Sequence, residues 1–141
     1  MWHDIRRGYW LIEPMAYFQY RPNNKKRIDV RFNYDSKSYT PALEQMLDIQ
    51  DTSDPLAITN GNPDLKRSMR HHFHLQVMRG RFGSACWLEA DINILDNLVA
   101  NGFTYNSTTG VYTYRPENVK GNWNSKTSVN FNRYLDSDKL L

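Results

Sequence analysis

Strict alternation of apolar and polar side chains, sustained over one segment after another, is the feature that most limits what this chain can fold into. From Arg27 to Asp35, Ile28, Val30, Phe32 and Tyr34 fall on one side, with Arg27, Asp29, Arg31, Asn33 and Asp35 on the other. A period of two is strand geometry, because successive side chains point to opposite faces of a sheet. The pattern also sets Trp10, Ile12, Pro14, Ala16, Phe18 and Tyr20 against Glu13, Gln19 and Arg21. It returns at Met69, His71, Phe73, Leu75 and Val77, at Cys86, Leu88, Ala90, Ile92 and Ile94, and at Trp123, Thr127, Val129 and Phe131. The spacing predicts five antiparallel strands near 9–21, 27–35, 68–79, 84–95 and 119–133. Pro14 interrupts the first, since it has no N–H for a ladder and is tolerated mainly at edges and bulges.

The connections alternate as the strands do. Pro22-Asn23-Asn24-Lys25-Lys26 and Gly80-Arg81-Phe82-Gly83 are short turns, and Leu135-Asp136-Ser137-Asp138-Lys139 reads as another. Between them lie two long loops, 36–67 and 96–118, the first holding Pro41–Asp48 as a candidate turn or two of helix. Short turns at one end of a sheet and long loops at the other are the pattern of outer-membrane barrels. A compact soluble domain rarely has structureless loops of that length.

No run of apolar residues approaches the roughly 18 a membrane-spanning helix needs, and mean hydropathy is −0.74. Aromatic residues nevertheless make up 13% of the chain, and Trp10, Tyr20, Tyr34 and Trp123 fall near expected strand ends, where interfacial girdles sit. The second face carries Asp, Glu, Arg and Asn, which suits a hydrated lumen. The expected fold is therefore all-β: an antiparallel up-and-down meander of about five strands, part of a transmembrane β-barrel, lipid on one face and lumen on the other. The first residues lack the apolar stretch of a secretory signal, so an outer-membrane reading expects more chain upstream.

Little in the sequence points to chemistry. The net charge is +3, but Lys and Arg are spread among nearly as many acids, and no basic stripe suggests nucleic acid. Cys86 is the single cysteine, on the apolar face with no base placed beside it. His72 and His74 share a strand face with Arg70 while His71 points the other way, short of the three or four ligands of a zinc site. Glu89 and Asp91 share a face at a spacing of roughly 7 Å, in a stripe with Trp87 and Asn93 that suits a channel lining. The expectation is thus no enzyme, no catalytic, metal or cofactor-binding residue, and ligand contacts that cannot be assigned.

Two segments resemble a known family. Gly61-Asn62-Pro63-Asp64-Leu65-Lys66, within 51–66, looks like the element that precedes a descending barrel strand in TonB-dependent receptors. Thr113-Tyr114-Arg115-Pro116-Glu117-Asn118-Val119-Lys120-Gly121-Asn122-Trp123 is similar to the "Pro-x-Asn-Val-x-Gly-x-Trp" approach to a later strand in the Bacteroidetes-type outer-membrane β-barrel branch. Both fall at expected loop-to-strand junctions, and the resemblance spans about 8–139. For the first, Gly61 is expected to take positive φ, with Pro63 biasing Asn62 toward extended geometry. The resemblance implies a 22-stranded barrel with an N-terminal plug, energised by the inner-membrane TonB complex and importing metal chelates, glycans or similar bulky solutes. Outer-membrane lipid, the TonB complex and a surface lipoprotein are the implied partners of the full-length parent. With about five strands, where the smallest barrels take eight, and no plug domain, the chain is expected to be a partial barrel domain over 1–141, a fragment of such a receptor. The alternative is a soluble β-sheet carbohydrate-binding module.

Overall fold

The computed structural model describes residues 11–22, 27–81 and 83–133. Five strands form the principal sheet in the order β1-β2-β5-β6-β9: β1 (Met15–Tyr20), β2 (Ile28–Tyr39), β5 (Ser68–Arg81), β6 (Ser84–Asp96) and β9 (Asn122–Arg133). All neighbours are antiparallel, so the meander expected from the alternation is the fold. The sheet is open, since β1 and β9 are not paired with each other. Trp10, the turn residues 23–26, Phe82 and the segment Leu135–Lys139 lie outside the described residues. Pro14 directly precedes the first pair of edge strand β1 and lies opposite Ser36: its carbonyl accepts from the Ser36 N–H at 3.1 Å, while its missing N–H leaves the reciprocal ladder bond unmade, a loss tolerated at the end of an edge strand.

The registers bring every apolar run to one side. Phe18, Phe32, Leu75, Ala90 and Thr127 form a row across all five strands, and Tyr20, Val30, Val77, Leu88 and Val129 form the next. Residues directly opposite in a ladder share a face, so a one-residue slip anywhere would break the surface. From Cys86 to Ile94 the apolar band runs about 27 Å along the strand at roughly 3.4 Å per residue, or roughly 20 Å in height at the tilt of about 40° of barrel strands, comparable with the ~25 Å band of outer-membrane barrels. Nothing in the described chain covers it. Trp123 is 69% and Phe131 66% exposed, while Met46 and Leu65 are the buried hydrophobic side chains among the described residues. A sheet with so broad an uncovered apolar face and so small a core is stable in lipid, which supplies the missing apolar contact.

The segments expected as long loops are themselves built of strands. Helix α1 (Leu43–Met46) confirms a helical turn within 41–48, and it is followed by β3 (Gln50–Asp51) and β4 (Ala57–Asn60); β7 (Leu98–Asn106) and β8 (Val111–Val119) occupy 96–118. These make a second sheet, β3-β4-β8-β7, in which β4 and β8 run parallel. β7 and β8 continue the β6–β9 hairpin with no slip in register: Leu95 faces Asn122, and Leu98 faces Val119. The ladder lapses only between those pairs, where Asn97 (φ 52°) and Gly121 (φ 78°) are both left-handed. Asn and Gly are the residues that enter this region at least cost. β2 also runs to Tyr39 rather than 35, so Tyr34 is not at a strand end as expected. It lies mid-strand, half-buried, stacked on Phe73 at a centroid distance of 4.9 Å.

Candidate functional site

The face opposite the lipid is a wall of paired polar side chains. Register sets Asp35, His72, Asn93 and Asn124 in one row and Asn33, His74, Asp91 and Lys126 in the next. Across these rows His72 Nδ1 lies 2.8 Å from Asp35 Oδ1, and its Nε2 lies 3.2 Å from Asp91 Oδ1. His74 Nδ1 reaches the same Asp91 oxygen at 2.8 Å, and Arg70 stands 3.6 Å from Asp35. Gln76 Nε2 donates to Glu89 Oε1 at 3.0 Å. Near the short-turn end, Asp29 accepts from Gln19, Arg21 and Arg31.

This geometry decides what the singled-out residues do. His72 and His74 share a face, as expected, and both are spent on Asp91. Glu89 and Asp91 are separately engaged, by Gln76 and by the two histidines. His71 lies on the lipid side, its Nδ1 2.9 Å from Tyr34 Oη. Cys86 is half-buried there, opposite Phe131. No group of three or more His, Cys, Asp or Glu able to hold a metal exists among the described residues. Asp29, Asp35, Glu89 and Asp91 each meet a cation, an imidazole or an amide from a neighbouring part of the sheet, which stiffens the wall and leaves it hydrophilic.

Beyond the wall, the two family-like segments meet in one hydrogen-bonded joint. Asn62 is buried, and its Nδ2 donates to the Pro116 carbonyl at 2.8 Å. Its Oδ1 accepts from Asp64 N and from Arg115 Nη2, and its backbone N–H donates to Gln45 O at 2.7 Å. Tyr112 N donates toward the β4 side, so by alternation the Pro116 nitrogen also faces that side, two residues past the last β4 pair, Thr59 with Tyr114. A proline fits there because no strand awaits its missing donor. The Asn118 amide treats Lys66 as a second peptide would: Oδ1 accepts from Lys66 N at 2.7 Å, while Nδ2 donates to Lys66 O and Asn97 O. Ser68 Oγ donates to the same Asn97 carbonyl. The start of β5, the bend at Asn97 and the end of β8 are thereby tied together, over Leu65, which is 1% exposed.

The expected role of Gly61 is corrected by this joint. Its φ is not among the positive ones; it is needed for close approach, because a Cβ there would sit 1.6 Å from the Leu47 carbonyl oxygen. Sequence reasoning also missed Asn62, Asn97 and Asn118 as a unit, and Asp35 as a partner of His72. Only the resemblance of the two segments marked the place. Asn118→Ala is expected to cost about 1–3 kcal/mol through the backbone groups it strips of partners, read as lost hydrogen-exchange protection at Lys66.

At the tip of the second sheet, the Ser53 hydroxyl (2.6 Å) and then its backbone N–H (3.0 Å) hold the Asp51 carboxyl below its usual value of 3.8. A depressed carboxylate stabilises its turn above the unfolded value and loses that contribution as pH falls through the folded one. The Ser53 amide is therefore expected to keep its exchange protection above about pH 4 and lose it on further acidification.

An uncovered apolar band of membrane height, backed by a charged face, defines the wall of an outer-membrane β-barrel. The chain belongs to the outer membrane protein beta-barrel family, whose model matches residues 3–137. No curated protein and no solved structure matches it. Membership of this family puts the chain in the outer membrane, where the soluble-module reading has no place.

Proposed function

We propose that the chain forms part of the barrel of a TonB-dependent outer-membrane receptor that imports a bulky solute. The observation that most supports this reading is the joint between 61–66 and 113–123, the two segments that resemble such receptors. Long connections lie outside the cell in outer-membrane barrels. Tied to each other by Asn62 and Asn118, they make a stiff cap above a polar wall, an arrangement suited to holding a large solute at the mouth of a lumen.

On this reading the protein binds and passes its solute without chemistry, its acids and histidines serving the wall. Its partners are outer-membrane lipid, the TonB complex and a surface lipoprotein over the cap. The test is retention of the full-length parent, extracted from outer membranes, on the immobilised periplasmic domain of TonB from the same cells. Retention supports the receptor reading. Failure to bind, with an established receptor retained in parallel, overturns it.

A further inference from the structure

β7 and β8 present four aromatic rings on one sheet face. Phe103 pairs with Tyr114 and Tyr105 with Tyr112, at centroid distances of 6.3 and 4.7 Å. Tyr112 and Tyr114 are 6.3 Å apart with their planes 21° from parallel. All four are exposed, from 36% at Tyr114 to 67% at Phe103. A membrane girdle does not account for them: Tyr105 lies about 37 Å of strand beyond Ile94, the last residue of the apolar band. Their cross-strand pairing helps hold the hairpin together, but it leaves the outer ring faces open to solvent as one contiguous aromatic patch.

A cleft of about 460 Å³ opens beside the rings. Asn101 and Pro116, the pair next along the hairpin on the same face as Phe103 and Tyr114, form one side of it. Thr59, in register with Tyr114, leads across to Asp51, and Glu44 closes the α1 side. The lining therefore supplies two carboxylates, several amides and a hydroxyl, with no Lys or Arg. Apolar ring faces beside a few fixed polar groups are the make-up of a ligand site.

We infer that this face of the extramembrane sheet binds a neutral oligosaccharide, with a sugar ring stacked on Tyr112 and Tyr114, Phe103 and Tyr105 flanking it, and hydroxyls donating to Asp51, Glu44 and Asn101. The charge of the cleft argues against an anionic chelate, which two carboxylates would repel. Phe103 and Tyr105 are tilted by 37–51° against Tyr112 and Tyr114, so the platform for a sugar ring is the near-parallel pair Tyr112 and Tyr114, with the two tilted rings flanking it. The inference deepens the proposed function by naming its substrate class, and rests on that reading only for the step of import.

The test uses the full chain in detergent micelles, titrated calorimetrically with maltohexaose, cellohexaose, laminarihexaose and xylohexaose, each up to about 10 mM, the weak end of specific binding. At least one is expected to saturate. Tyr112→Ala is then expected to weaken it about tenfold or more, equivalent to ~1.4 kcal/mol. Tyr112→Phe, which keeps the ring, is expected to bind within about twofold, a change of under 0.5 kcal/mol. Circular dichroism of each variant must match the parent chain. No saturation by any of the four sugars, saturation by choline chloride instead, or equal binding by Tyr112→Ala overturns the inference. Sugar binding without TonB retention removes the receptor reading and leaves this one standing; TonB retention without sugar binding does the reverse.

Discussion

An arginine at Leu75 is expected to cost about 2–4 kcal/mol and to deplete the protein from the outer-membrane fraction, because it places a charge at the middle of the lipid-facing band. Leu75 lies in the central row of the apolar face, between Phe32 and Ala90. The guanidinium there has no carboxylate within its row and no water. The control is Ser128→Arg, on the polar face beside Glu89, where the new charge meets an acid and a hydrated surface. A change within about 0.5 kcal/mol is expected for it. Quantifying both variants in separated outer membranes decides the orientation of the sheet. Equal depletion would mean that the apolar face does not meet lipid.

The second large effect is expected at Gly61. A methyl group there would lie 1.6 Å from Leu47 O, and that obstacle is backbone, which cannot rotate aside. Gly61→Ala therefore forces β4 and the turn after α1 apart. The Gly61 N–H bond to Ile49 O and the Asn62 N–H bond to Gln45 O are lost with the displacement. Overpacking of this kind costs about 1–3 kcal/mol, and the lost hydrogen bonds add to it. The loss is confined to the cap, so limited proteolysis should cleave within 43–66 in the variant while β5 and β6 stay protected. Protection of 43–66 equal to the parent chain's would show that the close approach is not needed.

These two positions differ in how far the sequence announces them. Leu75 is legible at once, because lipid demands an apolar residue at every second position and water in the lumen demands a polar one between. The five membrane strands follow from that demand. Gly61 is legible only as part of a resemblance, and its assumed reason, a positive φ, is replaced by a close contact between two chain segments. The extension of β2 through Ser36, Lys37 and Ser38 was invisible for a related reason: beyond the bilayer neither face needs to be apolar, so strand geometry continues after its hydrophobic signature stops. The same holds for much of β8, where Arg115, Pro116, Glu117 and Asn118 form strand without alternation.

The wall's chemistry was partly visible. Alternation separates His71 from His72 and His74, and the structure keeps that separation. It cannot pair Asp35 with His72 or Asp91 with both histidines, since such pairs depend on the registers of three strands at once. The aromatic face at the tip left a signal, the spacing of Phe103 with Tyr105 and of Tyr112 with Tyr114. That these four rings share a face beside a cleft from α1 and β3 depends on the parallel pairing of β4 with β8, which joins residues far apart in the chain.

By itself, then, the sequence determined which residues meet lipid, where the membrane strands run and at which end the long connections gather, because a bilayer imposes a local rule on each successive residue. Only the tertiary structure decided that those connections become a second sheet locked by Asn62 and Asn118. Outside the bilayer water satisfies either face of a strand, so the arrangement is set by side-chain amides meeting particular backbone groups across long stretches of chain.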